Sequence, residues 1–382
     1  MNTNSISRRR FAQLLGIGAA SAMARPALTM ARQAQQPATP AVRTRLVRLS
    51  ANENPFGPSP KALQAMSDTF GLACRYPDEH AEALVAGLAK LNGVDPGQIL
   101  LGDGSGEILK LCADVFTGPL TNSNAAAGRG PLVAADPTFE AILHHAKLND
   151  AEIVKIPLTA SFAHDLPKMM AAAKEGLVYI CNPNNPTASI TPMSAVRAAI
   201  EQAPAKTIIL VDEAYYHYAD SSDYESVIPL VKDHPNLIVA RTFSKIYGMA
   251  GLRCGYCVAP PLTIDRLRAR QAWDSINVMA LAAAAASLGD PDLVPNGRRL
   301  NAETRAFTIS ALEKMGYQTI PAQANFIMID VQRPVVPLIA SLKNRQVEVG
   351  RLFPAMPNHL RLTIGKKAEM EIFLAAFREV MA

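Results

Sequence analysis

Three short apolar runs, each ending in polar residues, constrain the fold more than any other feature of the chain. TIILVDEAY (207–215) is almost continuously apolar as far as Asp212, the pattern of a strand buried on both faces. LVYICNP (177–183) runs into a loop rich in Pro and Asn, and LIVARTFSK (237–245) ends on Thr242, Ser244 and Lys245. LVAAD (132–136), EIVKIPL (152–158) and CGYCVAP (254–260) read as further strands. Helical patterns lie between them, in AEALVAGLAKLNG (81–93), in 107–116 and in 139–148. Another helix opens at Thr191-Pro192, with the threonine as cap and the proline in the first helical position.

This alternation predicts an α/β chain with an open, mainly parallel central sheet and helices on both faces. Beyond Pro291 the pattern changes to a long helix through Met315, the strand NFIMIDV, a helix, and the strand LRLTIG, which predicts a smaller α+β domain. The expected divisions are 1–42 as signal and linker and 43–75 as an arm contributing to the small domain. A large domain follows over 76–290 and a small one over 291–382. The chain has 382 residues, 49% of them hydrophobic, enough for more than one core.

The N-terminus reads as an address. Arg8 to Arg10, a short apolar run from Leu14, and Ala22-Met23-Ala24 form the three parts of an export signal, with cleavage expected after Ala24. Ser7-Arg8-Arg9-Arg10-Phe11 resembles the twin-arginine (Tat) signal, so the Tat export machinery is an expected partner and the periplasm the expected location. Residues 33–42, rich in Pro, Ala and Gln, read as a linker. The signal also explains the charge. Arg8, Arg9, Arg10, Arg25 and Arg32 lie in a stretch without acids, so removing it takes the net +5 to zero. No basic stripe remains for a nucleic acid. The five cysteines form no metal pattern, and Cys254 and Cys257, though spaced CxxC, read as strand packing.

In open parallel sheets ligands gather at the carboxyl ends of the strands. Here those ends deliver Asn185 from NPNNPT, then Asp212 and Tyr215, then Thr242, Ser244 and Lys245, with Arg253 after a glycine-rich turn. Lys245, desolvated and near a cation such as Arg253, suits a lysine with a lowered pKa that forms Schiff bases. Asp212 on an apolar strand needs a cationic partner, and a protonated pyridine nitrogen is one. Thr242, Ser244 and Arg253 suit a phosphate, and Asn185 and Tyr215 a phenolate oxygen. Gly104-Ser105-Gly106 opens a helix whose free N–H groups favour an anion. Phosphate, pyridinium, phenolate and aldehyde together describe pyridoxal 5′-phosphate. His144, His145 and His217 read as surface or structural residues, and Tyr247 as a pocket or packing residue.

From about Arg45 onward the ordered set NPNNPT, DEAY and SKxxGxxGxRxGY resembles the fold-type I aminotransferases of the class I/II group that depend on pyridoxal phosphate. NENPFG (52–57), RYPD (75–78) and DPTF (136–139) are similar to elements of the histidinol-phosphate subfamily. The resemblance implies Lys245 as the Schiff-base lysine, Asp212 on the ring nitrogen, and Asn185 and Tyr215 on the ring oxygen. It implies Ser105, Thr242, Ser244, Arg253 and a partner-reaching Tyr76 on the phosphate, with Phe139 stacked on the ring. Arg361, Arg351, Asn52 and Asn54 would meet substrate, and no metal is implied. An amino donor, a 2-oxo acid and a homodimer with shared sites follow from the same resemblance. Gly106 stands where an acid is usual, Ala188 where a glycine is usual, and 118–131 reads as an insertion. Two alternatives remain open: a decarboxylase or lyase on the same scaffold, similar to threonine-phosphate decarboxylase, and a non-catalytic accessory protein.

Overall fold

The computed structural model describes residues 46–119 and 129–382. The export signal, the linker and most of the inserted loop lie outside the described residues. The chain from Arg45 to Ala382 clusters as one compact unit.

Twelve strands appear among the described residues. They are β1 (Val47–Leu49), β2 (Ile99–Gly102), β3 (Leu132–Asp136), β4 (Ile153–Pro157), β5 (Gly176–Cys181), β6 (Thr207–Asp212), β7 (Leu237–Thr242), β8 (Gly255–Val258), β9 (Gln318–Thr319), β10 (Phe326–Asp330), β11 (Val347–Val349) and β12 (His359–Thr363). Seven of them form the central sheet in the order β2-β8-β7-β6-β5-β3-β4. Only β8 runs antiparallel to its neighbours; the pairs from β7 through β4 are parallel.

The apolar runs are continuous because both faces of this sheet are covered. Val133, Val178, Ile209, Val211 and Val239 pack into one core cluster. Leu132, Ala134, Leu177, Leu210, Ile238 and Cys257 alternate with them into the other. Cys257 and its neighbour Cys254 are both buried thiols, and burial pushes each up to about 12.

Helix ends follow local chemistry. Ser59 caps Pro60–Asp68 by accepting from the Ala62 N–H, with Pro60 in the first position. Gly93 ends Asp78–Asn92 in the left-handed conformation at φ 65°. The helix expected from Thr191 differs: it spans Met193–Glu201, its cap position is Pro192, and no side chain caps it. Thr191 is occupied elsewhere, since its hydroxyl meets both the backbone N–H and the Nδ1 of buried His164.

After the long helix Leu293–Lys314 come β10 and β12, antiparallel, with short β9 on the other side of β10. The sequence patterns did not reveal β1 and β11, which pair in parallel over three residues each. That pairing matters for function, because it delivers Ser50, Ala51 and Asn52 directly after β1.

Candidate active site

Parallel register brings the ends of β5, β6 and β7 together, with Cys181 opposite Asp212 and Asp212 opposite Ala240. Beyond these ends lies a cavity of about 300 Å³. Its walls include Ser105, Gly106, Phe139, Asn185, Asp212, Tyr215, Thr242, Ser244, Lys245, Arg253, Asn52 and Arg361. Residues far apart in the chain, from Ala51 to Arg361, therefore meet in one place.

Lys245 follows β7, and its ammonium donates to the carbonyls of Asn52 (3.1 Å) and Ala51 (3.4 Å). It also lies 5.4 Å from the centre of the Tyr215 ring. Burial lowers its pKa to about 8, and Arg361 adds more to the shift than Arg253 does; Glu53 and Asp212 oppose it. The cation that matters most is thus a residue of the second sheet rather than the neighbour along the chain.

Asp212 is buried at the end of β6. Its Oδ2 accepts from the Tyr179 hydroxyl at 2.9 Å and its Oδ1 from the Ala214 N–H at 3.0 Å. Burial raises its pKa to about 6 despite these donors and Lys245. Glu213, one residue on, points into a different network. It pairs with buried Arg241 at 2.8 Å and accepts from Ser226 and the Val227 N–H. The sequence marked Asp212 but gave no sign of Tyr179. A tyrosine in an apolar strand must still find a partner for its hydroxyl, and here that partner is Asp212.

The side expected to hold a phosphate is built by two segments. Thr242 donates to Ser244 at 2.9 Å and accepts from the Ser244 N–H. Arg253, at φ 58°, donates to the Ala250 and Asp103 carbonyls and to Ser244. Opposite them the helix Gly104–Phe116 begins without a side-chain cap, so its first N–H groups are available to an anion. Gly104 does not line the cavity. Its φ is 70°, and a Cβ there would sit 2.2 Å from a guanidinium nitrogen of Arg253. Gly104→Ala should therefore displace Arg253 and weaken cofactor phosphate binding about tenfold or more. Equilibrium dialysis against pyridoxal phosphate checks this; unchanged affinity would contradict it. Gly106 lines the cavity, and the acid beside it, Glu107, turns away to accept from Ser275, Gln271 and the Asp103 N–H.

Arg361, on β12, donates to Asn185 Oδ1 (2.8 Å) and to the Ser50 carbonyl (2.6 Å). Its Nε is buried with no hydrogen-bond partner among the described residues. Asn52, with φ 56°, donates to the Tyr215 hydroxyl at 3.1 Å, and Asn185 does so at 3.4 Å. Both amides thus converge on the phenol proposed for a ring oxygen.

Other expected residues are placed differently. The Asn54 amide is held by the Ile246 carbonyl and the Phe56 N–H, and it does not line the cavity. Arg351 also lies outside the lining, paired with Glu140. Tyr76 is 81% exposed and away from this chain's own cavity. His217 is buried and meets the Tyr247 hydroxyl at 3.3 Å; burial holds it well below the usual imidazole range. Neither reaches the cavity. Ala188 keeps a left-handed φ of 60°, the conformation a glycine would adopt without strain.

The residues fit pyridoxal phosphate. An uncapped helix start with two hydroxyls and a guanidinium suits its phosphate, and a buried carboxylate of raised pKa suits a ring cation. A lysine of lowered pKa suits its aldehyde. A cavity with these groups defines the class of enzymes that work through pyridoxal phosphate bound to a lysine.

Comparison with known proteins narrows the class. The family model described as aminotransferase class I and II matches residues 44–377. A histidinol-phosphate aminotransferase of Moorella thermoacetica is 37% identical over 343 residues, 88% of this chain and 86% of the relative. Histidinol-phosphate aminotransferase 2 of Pseudomonas fluorescens is 38% identical over 344 residues, 88% of this chain and 89% of the relative. The solved structure of the Sinorhizobium meliloti histidinol-phosphate aminotransferase with pyridoxal-5′-phosphate superimposes with a TM-score of 0.80 at 27% identity. It covers 88% of this chain and 91% of that one. The chain belongs to the class I and II aminotransferase family, and its cofactor is pyridoxal 5′-phosphate.

Proposed function

We propose that this aminotransferase takes a small amino-acid or amino-phosphate donor, of the kind named in its histidinol-phosphate relatives, and passes the amino group to a 2-oxo acid. The observation that carries the reading is the placing of Lys245 and Arg361 in one cavity, with Asp212 at its floor. When bound, pyridoxal phosphate supplies the aldehyde that accepts the amino group and a ring that draws electrons from the donor's Cα.

The chain's own residues do the rest. Arg361 lines the cavity and offers its planar guanidinium to the donor's acid group. Lys245, with a pKa near 8, has a neutral fraction at neutral pH, so its Nζ can take the Cα proton and return it one atom away. Asp212 is ionised above about pH 6 and can hold a proton on the ring nitrogen. Asn52, Asn185 and Tyr215 fix the ring oxygen, and the apolar wall of Ala51, Ala214 and Ala250 limits water. A screen of donors against 2-oxoglutarate tests this: glutamate should form without carbon dioxide. Carbon dioxide without glutamate would overturn it in favour of decarboxylation.

A homodimer and export complete the proposal. The exposed Tyr76, unused by its own cavity, supports a second copy as its recipient. Ser7-Arg8-Arg9-Arg10-Phe11 supports Tat export to the periplasm. Replacing Arg8 and Arg9 together with lysine should leave the protein in the cytoplasm on cell fractionation, and continued export would contradict the signal.

A further inference from the structure

Asn52 is buried, and its backbone is left-handed at φ 56°. Asparagine takes this conformation more readily than most residues, but its neighbours must still hold it there. The neighbour is Thr363, on β12. Its Oγ1 accepts the Asn52 backbone N–H at 2.9 Å and donates its own hydrogen to Asn52 Oδ1 at 3.1 Å. One hydroxyl thus closes on both the backbone and the side chain of one residue. Thr363 and Asn52 are 3% and 1% exposed, so bulk water does not stand in for either bond. Just before β10, Asn325 donates to the Asn52 carbonyl at 3.0 Å, the same carbonyl that receives Lys245.

The reciprocal pair decides which way the Asn52 amide points. With Oδ1 given to Thr363, Nδ2 is left to donate to the Tyr215 hydroxyl at 3.1 Å. Asn185 is turned the same way, because its Oδ1 accepts from Arg361 while its Nδ2 meets Tyr215 at 3.4 Å. A phenol oxygen can accept from such donors and has one hydrogen of its own to give. With both amides donating to it, Tyr215 must send its hydrogen elsewhere, and Tyr215 lines the cavity. Burial holds its ionisation well above the usual tyrosine range, so the hydrogen is retained at neutral pH. A flipped Asn52 amide would present Oδ1 instead and draw that hydrogen away from the cavity.

We propose that Thr363 is a positioning residue: by fixing the Asn52 amide it directs the Tyr215 hydrogen into the cavity, towards the cofactor's ring oxygen. This rests on the reading that Tyr215 meets that oxygen.

Absorbance titration of the holoenzyme tests it. A donor to the ring oxygen favours its ionised form, so losing the donor moves the titration of the cofactor's visible band to higher pH. T363V keeps the shape of the side chain without the hydroxyl and should raise that titration by about 0.5–1 pH unit. T363S keeps the hydroxyl and should move it by less than about 0.2 pH unit. The titratable groups around Tyr215, namely Arg361, Asp212, Cys181 and Lys245, are the same in both variants. A purely structural Thr363 would lower the melting temperature of T363V and leave the titration in place. N52G adopts the left-handed turn without strain and lacks the amide, so it should reproduce the T363V shift. The double variant T363V/N52G should then add nothing to either. A titration unmoved in T363V or in N52G overturns the proposal, and so does an equal shift in T363S. Y215F separates the underlying reading, since it should raise the titration at least as far as T363V. If Y215F leaves it in place, the assignment of Tyr215 falls and the proposal with it. If Y215F moves it while T363V and N52G do not, the proposal alone falls.

Discussion

Replacing Lys245 with alanine should lower the rate of amino transfer by at least about 10⁴-fold, because both a nucleophile and a general base are lost with one amine. Thr242, Ser244 and Arg253, proposed to hold the phosphate, keep their mutual contacts after the change, so pyridoxal phosphate should still bind. Its absorbance should then be that of the free aldehyde. The fold should survive, since the ammonium's two hydrogen bonds go to the backbone carbonyls of Ala51 and Asn52. Steady-state kinetics with circular dichroism checks both parts. A variant that keeps the wild-type band would sink the assignment of Lys245.

Asp212→Asn is the second large effect, and it should split activity from stability. Removing the charge proposed to hold the ring proton should reduce amino transfer about 10³-fold or more. In the cofactor-free protein the same change should stabilise the fold at pH 7. The sign follows from linkage. The folded-state pKa of about 6 lies above the ordinary aspartate value of 3.8, so the folded chain binds more protons than the unfolded one between these values. The contribution of Asp212 to stability is then largest below pH 3.8 and falls as pH rises to about 6. At pH 7 the buried, ionised carboxylate costs up to about 3 kcal/mol. Denaturant melts of the cofactor-free proteins should show a gain for Asp212→Asn at pH 7 that shrinks towards pH 4. A loss of stability at pH 7 would contradict the account.

Much of this site was legible because strand ends carry their chemistry in sequence order. An apolar run that stops at a charged or hydroxyl residue marks both the strand and its functional end, which is how Asp212, Thr242 and Lys245 stand out. What sequence order hides is contact between distant segments. Nothing in LVYIC says that Tyr179 will meet Asp212, since that depends on the register of two strands. Asn52 and Asn54 look alike in NENPFG. Only the pairing of β1 with β11 and the left-handed turn at Asn52 decide which one faces Tyr215. Thr191-Pro192 reads as a helix start on local rules, but buried His164 competes for the hydroxyl and wins. The larger influence of Arg361 than of Arg253 on Lys245 is of the same kind. It comes from the β12 strand, over a hundred positions away in the chain.

The same point holds for Gly104. Its glycine suggests close approach to a phosphate, whereas the side chain it makes room for is Arg253. The two readings predict the same weakened binding from different causes, and a structure of Gly104→Ala with Arg253 moved would support the second.

The lysine that carries the cofactor can be identified directly. The holoenzyme should be reduced with borohydride, digested, and its peptides mapped by mass spectrometry. A single pyridoxyl-phosphate adduct should appear, carried on Lys245 in the peptide containing FSKIYGMAGLR. An adduct on another lysine, or none after reduction of a fully loaded protein, would contradict it.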